Sequence, residues 1–136
     1  MRHRRRLQKE LLGRLALLNP GDEVILLEPA FDLYYGQVRL AGGTVVPVPL
    51  AVDDEAHRWK LDVGALERAC SSRTKLLVLN SPHNPTGTAF SRAEMEAVAA
   101  VVRQHPQMRV ISDEVYKYTV YAEESEPFPF ASLPGM

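Results

Sequence analysis

The sequence predicts an α/β fold, a mainly parallel sheet flanked by helices. Two observations carry that expectation. Short, β-rich apolar runs alternate with segments whose apolar residues recur at helical spacing. Three of the apolar runs end in polar clusters: Glu28-Pro29-Ala30-Phe31, Asn80 to Gly87, and Asp113 to Tyr116. In sheets of this class ligands bind beyond the carboxyl ends of the strands, so clusters far apart in sequence meet on one rim.

The elements follow in order. Leu7, Leu11, Leu15 and Leu18 space a helix over 4–18, which Asn19-Pro20-Gly21-Asp22 stops. DEVILLEP, residues 22–29, is a buried strand closed by Pro29, and residues 31–41 form a second helix ended by Gly42-Gly43. TVVPVPL, residues 44–50, is a strand. Its Pro47 and Pro49 cannot donate to a ladder, so it lies at an edge or leaves the sheet early. AVDDEAHRW, residues 51–59, reads as a polar loop, 62–70 as a helix and KLLVLN, 75–80, as a buried strand. Ser91 and Glu94 make a capping box, each side chain satisfying an orphan amide at a helix start. Met95, Val98, Ala99 and Val102 line one face of that helix through His105, and Pro106 ends it. MRVISDE, residues 108–114, is the next strand, and the tail from Ala122 reads as loop, with Pro127, Pro129 and Pro134. No internal repeat or low-complexity segment interrupts the pattern.

Composition narrows the function classes. A chain of 136 residues that is 46% hydrophobic builds a packed core of single-domain size. The net charge of −1 points to neither nucleic acid nor an acidic surface as partner. MRHRRR puts four arginines in the first six residues. A targeting remnant and a nucleic-acid arm are the alternatives there, and a frayed, solvated terminus is the expectation. No apolar run is long enough to span a bilayer and no secretory signal is visible. Cys70, the single cysteine, excludes an internal disulfide and fits a reducing setting. A cytoplasmic location is expected, with the mitochondrion as the alternative.

The chemistry begins at ISDEVY. A carboxylate at the end of an apolar strand, as Asp113 is, needs a partner. One reading makes it the cap of the turn at 115–117. An acid–base pair with Glu114 converges poorly, because adjacent strand residues point to opposite faces. His3, His57, His83 and His105 show no ligand spacing around the carboxylates, so no metal site is expected. A third reading sets Asp113 as counter-ion to a protonated ring nitrogen, which the anion keeps charged. Tyr116 and Asn84 could both reach a phenolic oxygen on the same ring, and Phe31 could stack on its face. Together the four describe a cradle for pyridoxal phosphate. HNPTGT lacks the Gly-Lys-Ser/Thr of a phosphate-cradling loop, so a nucleotide site is the poorer reading.

The ordered set SPHNPTG, SDEVY and NPGDEVILLEPAFDLY, spread over residues 19–136, resembles the class I/II aminotransferases, the fold-type I pyridoxal-phosphate enzymes. The closing ASLPGM is similar to the subgroup of kynurenine–oxoglutarate aminotransferases, also known as cysteine-conjugate β-lyases. The resemblance implies that 19–136 is part of the family's large, cofactor-binding domain, and that 1–18 is a basic helix atypical of it. It implies that Asn84 and Tyr116 contact the ring oxygen, Asp113 the ring nitrogen, and that Phe31 stacks. Pro85 and Gly87 would shape the loop, and His83 would sit on the loop surface. Tyr34 and Tyr35 are expected in helical core or surface, with packing near the site as the alternative, and Trp59 and Cys70 in ordinary packing. The implied partners are an amino acid, a 2-oxo acid and, for the full-length form, a second copy of the chain.

The resemblance also implies a catalytic lysine, a substrate-clamping arginine and an upstream glycine-rich turn. None is matched here. Lys9, Lys60, Lys75 and Lys117 are the only lysines and none has the family's Ser-x-x-Lys-like context, so no catalytic residue is assigned and the chain is expected to be a fragment. The readings are amino transfer from a kynurenine- or glutamine-like donor, β-elimination from cysteine conjugates on the same scaffold, or a non-enzymatic fragment that acts by pairing with a full-length relative.

Overall fold

The computed structural model describes residues 18–55, 57–119 and 128–136. The helix expected over 4–18 lies almost wholly outside them. The described elements are β1 (Glu23–Glu28), α1 (Asp32–Leu40), β2 (Thr44–Pro49), β3 (Ala51–Asp53), β4 (Arg58–Lys60), α2 (Val63–Ala69), β5 (Thr74–Asn80), α3 (Arg92–Gln104) and β6 (Arg109–Asp113). β2, β1, β5 and β6 form, in that order, a four-stranded sheet in which every pairing is parallel.

Alternation along the central strands builds two cores. Ile25 and Leu27 of β1 and Leu77 and Leu79 of β5 join the cluster under α2 and α3. Val24 and Leu26, with Leu76 and Val78, turn to the other face and pack with Tyr34 and Val38 of α1. Burial on both faces explains why these strands read as nearly continuous apolar runs. The proline-bearing β2 lies at an edge, as its missing donors require. The capping box is present: Ser91 Oγ accepts from the Glu94 N–H, and Glu94 accepts from the Ser91 N–H at 2.8 Å.

Two expectations are corrected. Residues 51–59 are not simply a polar loop: β3 and β4 pair antiparallel, with Val52 opposite Trp59, and His57 takes a positive φ of 49° in the turn. The charges that hide this strand character are tied up locally. Lys60 lies 3.4 Å from Asp53, and Arg58 reaches Glu94 at 3.3 Å. The tail is also not bare loop. Phe130–Ser132 form a 3₁₀ turn whose Phe130, with Leu133, is buried in the α3-side core, and Arg103 donates to the Pro134 carbonyl at 2.7 Å. Trp59 and Cys70 pack against that same core, as expected.

The strand order fixes where a ligand belongs. From β1 the chain moves outward to β2, then returns across the sheet to β5 on the other side of β1. Helices therefore leave β1 and β5 toward opposite faces, α1 to one and α3 to the other. The reversal opens a crevice beyond the carboxyl ends of β1 and β5.

Candidate functional site at the carboxyl rim of the sheet

The three polar clusters meet at that crevice. Asn80, the last residue of β5, is paired in register with Asp113, the last residue of β6. The residue is 3% exposed, and both polar atoms of its side chain are hydrogen-bonded. The amide Nδ2 donates to the Asp113 carbonyl at 2.9 Å, and Oδ1 accepts from the Asn84 backbone N–H at 2.7 Å. One buried amide thus fixes both site loops. The Ser81 N–H adds a second bond to the Asp113 carbonyl at 3.1 Å.

The Asn84 loop is closed on itself. Gly87 donates to the His83 carbonyl and His83 to the Thr88 carbonyl, at 2.7 and 2.8 Å, with Gly87 at φ +75° where a side chain would strain. The expectation of a surface His83 is overturned: it is 4% exposed. Its Nδ1 lies 2.9 Å from Thr86 Oγ1 and its ring tilts against Phe90. Burial lowers its pKa, and a hydrogen bond with the Leu27 backbone partly opposes that effect. His83 is therefore an inward peg that ties the loop to the end of β1.

The predicted cofactor residues fall as follows. Asn84 Nδ2 donates to the Tyr116 hydroxyl at 3.4 Å, so these two polar groups converge. Phe31 stands at the start of α1, 41% exposed, with an open aromatic surface. Its ring meets Tyr34 edge-on at 5.8 Å between centroids. Asp113 Oδ1 accepts from the Val115 N–H at 3.2 Å, the turn-capping bond foreseen from sequence. Oδ2 accepts from the Tyr34 hydroxyl at 2.7 Å. Glu114 does not pair with Asp113; it accepts from Ser112 Oγ at 2.9 Å.

Tyr34 therefore belongs to the site as well as to the core. It is 6% exposed, and burial first, then the Asp113 carboxylate and Tyr116, raise its pKa well above the usual phenol range. It is a neutral O–H donor at any physiological pH. The signal was available: Phe31 and Tyr34 are three residues apart and share one helix face. Tyr35, its neighbour, donates to Glu28, and burial with that carboxylate pushes its phenol up to about 12.

The donor set fits a flat heterocycle. A ring laid against Phe31 would meet a carboxylate for a cationic nitrogen and an amide–phenol pair for an oxygen. Among the described lysines, Lys75 lies near the amino end of β5, Lys60 faces Asp53, and Lys117 sits 5.2 Å from the Tyr118 ring centre. An open groove of about 940 Å³ lies toward the amino ends of β5 and β6, and none of Phe31, Asn84, Asp113 or Tyr116 lines it. No group of His, Cys, Asp and Glu among the described residues could hold a metal ion.

Known proteins resemble this chain over most of its length. The kynurenine–oxoglutarate transaminase of Dictyostelium discoideum is 41% identical over 133 residues, a match covering 89% of this chain and 30% of that protein. Kynurenine–oxoglutarate transaminase 1 of Rattus norvegicus is 44% identical over 128 residues, with the same coverage. N-succinyldiaminopimelate aminotransferase from Mycobacterium tuberculosis superposes with a TM-score of 0.88 at 39% identity, over 96% of this chain and 33% of that one. The chain thus spans about a third of the length of the relatives it matches. The family model for aminotransferase class I and II matches residues 9–132, nearly the whole sequence, and the chain belongs to that family.

Proposed function

We propose that this chain is the ring-binding part of a pyridoxal-phosphate-dependent aminotransferase. The observation that carries the reading is the convergence of Phe31, Asn84, Asp113 and Tyr116 at the switch-point crevice of a parallel sheet. Asp113 holds a proton on the ring nitrogen by charge. Asn84 and Tyr116 receive the ring oxygen, and Phe31 covers one face and excludes water from it. Bound there, the cofactor supplies an electron-accepting ring. Residues 19–136 act as part of the large domain, and the covalent lysine and carboxylate-clamping arginine come from outside the residues seen here.

The substrates proposed are an amino acid and a 2-oxo acid, with a kynurenine- or glutamine-like donor. Support for that donor is the 41% and 44% identity to the two kynurenine–oxoglutarate transaminases. No helix among the described residues is long and apolar enough to cross a membrane.

Calorimetric titration with pyridoxamine 5′-phosphate tests the ring site without lysine labelling. Phe31→Ala and Asn84→Ala should each weaken binding by about tenfold, the worth of one stack or one well-placed hydrogen bond. Equal affinity in the parent and both variants contradicts the assignment. In a protein carrying the remaining segments, a new amino acid formed from a 2-oxo acid marks amino transfer. Ammonia and pyruvate released from a cysteine conjugate mark β-elimination instead.

A further inference from the structure

We propose that Tyr34 is a positioning residue that acts on the ring through Asp113. The inference rests on the ring-binding reading above and extends it to a residue that touches no ring in that account. Tyr34 Oη donates to Asp113 Oδ2 at 2.7 Å, while the Val115 N–H holds Oδ1 at 3.2 Å. Each carboxylate oxygen is thereby engaged once, from different elements. The carboxylate plane is fixed, and among the described residues each oxygen accepts one of the two bonds it can take.

The anchoring is stiff on the Tyr34 side. Its ring is buried in the core with Val24, Leu26, Val78 and Ile111, on the sheet face opposite α3. A phenol donating to a carboxylate makes a charge-assisted bond, stronger than a neutral one. Tyr34 also meets Phe31 edge-on from one turn of the same helix. A single helix start therefore sets both the surface that the ring lies on and the direction from which its nitrogen is met. The titratable groups around this point are Asp113 and Tyr116 from the β6 end and Tyr34 from α1.

A bland alternative is that Tyr34 donates only to satisfy its own buried hydroxyl. The two differ in what Tyr34→Phe does to a bound ring. The probe is pyridoxamine 5′-phosphate, and the readout is the pH dependence of its absorbance when bound, which follows protonation of the ring nitrogen. The parent chain should hold that nitrogen protonated about one pH unit or more beyond the free compound, the effect of a close anion. Asp113→Asn should abolish the shift. Tyr34→Phe should remove part of it, and should change nothing further when Asp113→Asn is already present.

A parent-like shift in Tyr34→Phe, with the shift lost in Asp113→Asn, overturns the role of Tyr34 and leaves the ring site standing. An unchanged shift in Asp113→Asn, or no uptake of the probe by the parent, overturns the ring-binding reading and this inference with it. A second measurement needs no ligand. In urea unfolding of the unloaded chain, the double variant should move the midpoint by less than the two single variants together. A fully additive shift overturns the coupling between the two side chains.

Discussion

At the scale of single residues, one buried amide organises the site. Asn80 ends an apolar strand where a polar side chain must find partners, and it finds two, one in each loop that carries a proposed ring contact. Asn80→Ala leaves the Asn84 N–H without its acceptor and removes one donor from the Asp113 carbonyl. We expect a loss of about 2–3 kcal/mol in urea unfolding, the cost of two bonds with a half-buried donor left unmade. Asn80→Asp keeps the acceptor for Asn84 and should restore the binding of the probe compound in part. A stability change below about 0.5 kcal/mol for Asn80→Ala would show that the loops hold without it. Sequence alone named Phe31, Asn84, Asp113 and Tyr116, because each has a chemistry that calls for a ligand. It gave Asn80 no role beyond ending a strand and preferred helical core or surface for Tyr34, because their partners lie 33 and 79 residues away in the chain.

At the scale of elements, the loop after β5 is held by a titratable peg. His83 is buried, and its pKa is lowered mainly by that burial. The unfolded chain then takes up a proton near pH 6.5 that the folded chain resists. The stability His83 contributes is complete above about pH 6.5 and is lost as the pH falls below it toward the lowered folded value. Unfolding free energies measured from pH 8 to pH 5 should fall more steeply for the parent than for His83→Gln. Parallel curves would remove His83 as the cause. Sequence could not foresee this, since a histidine among asparagines and prolines reads as surface. Its burial comes from packing against Phe90 and the end of β1. The hairpin β3–β4 was hidden for a related reason: its charges look solvated, yet Lys60 and Arg58 are paired with Asp53 and Glu94. The β strands of the sheet and the helices α1, α2 and α3 were legible within a residue or two, because their apolar periods match the faces they bury.

At the scale of the whole molecule, the strand order places the candidate site. A sheet ordered β2-β1-β5-β6 reverses direction between β1 and β5, and all the site residues leave from strands at or beside that reversal. The alternation of strands and helices was legible in the sequence, but not the strand order, which follows from long-range pairing. The central claim is that the rim so formed holds pyridoxal phosphate through Asp113. The most direct test loads the purified chain with pyridoxal 5′-phosphate, removes what is unbound, and records the near-ultraviolet and visible absorbance beside an Asp113→Ala control. The account predicts a retained band in the parent that is absent from the control. No retained band, or bands of equal strength in both proteins, would contradict it.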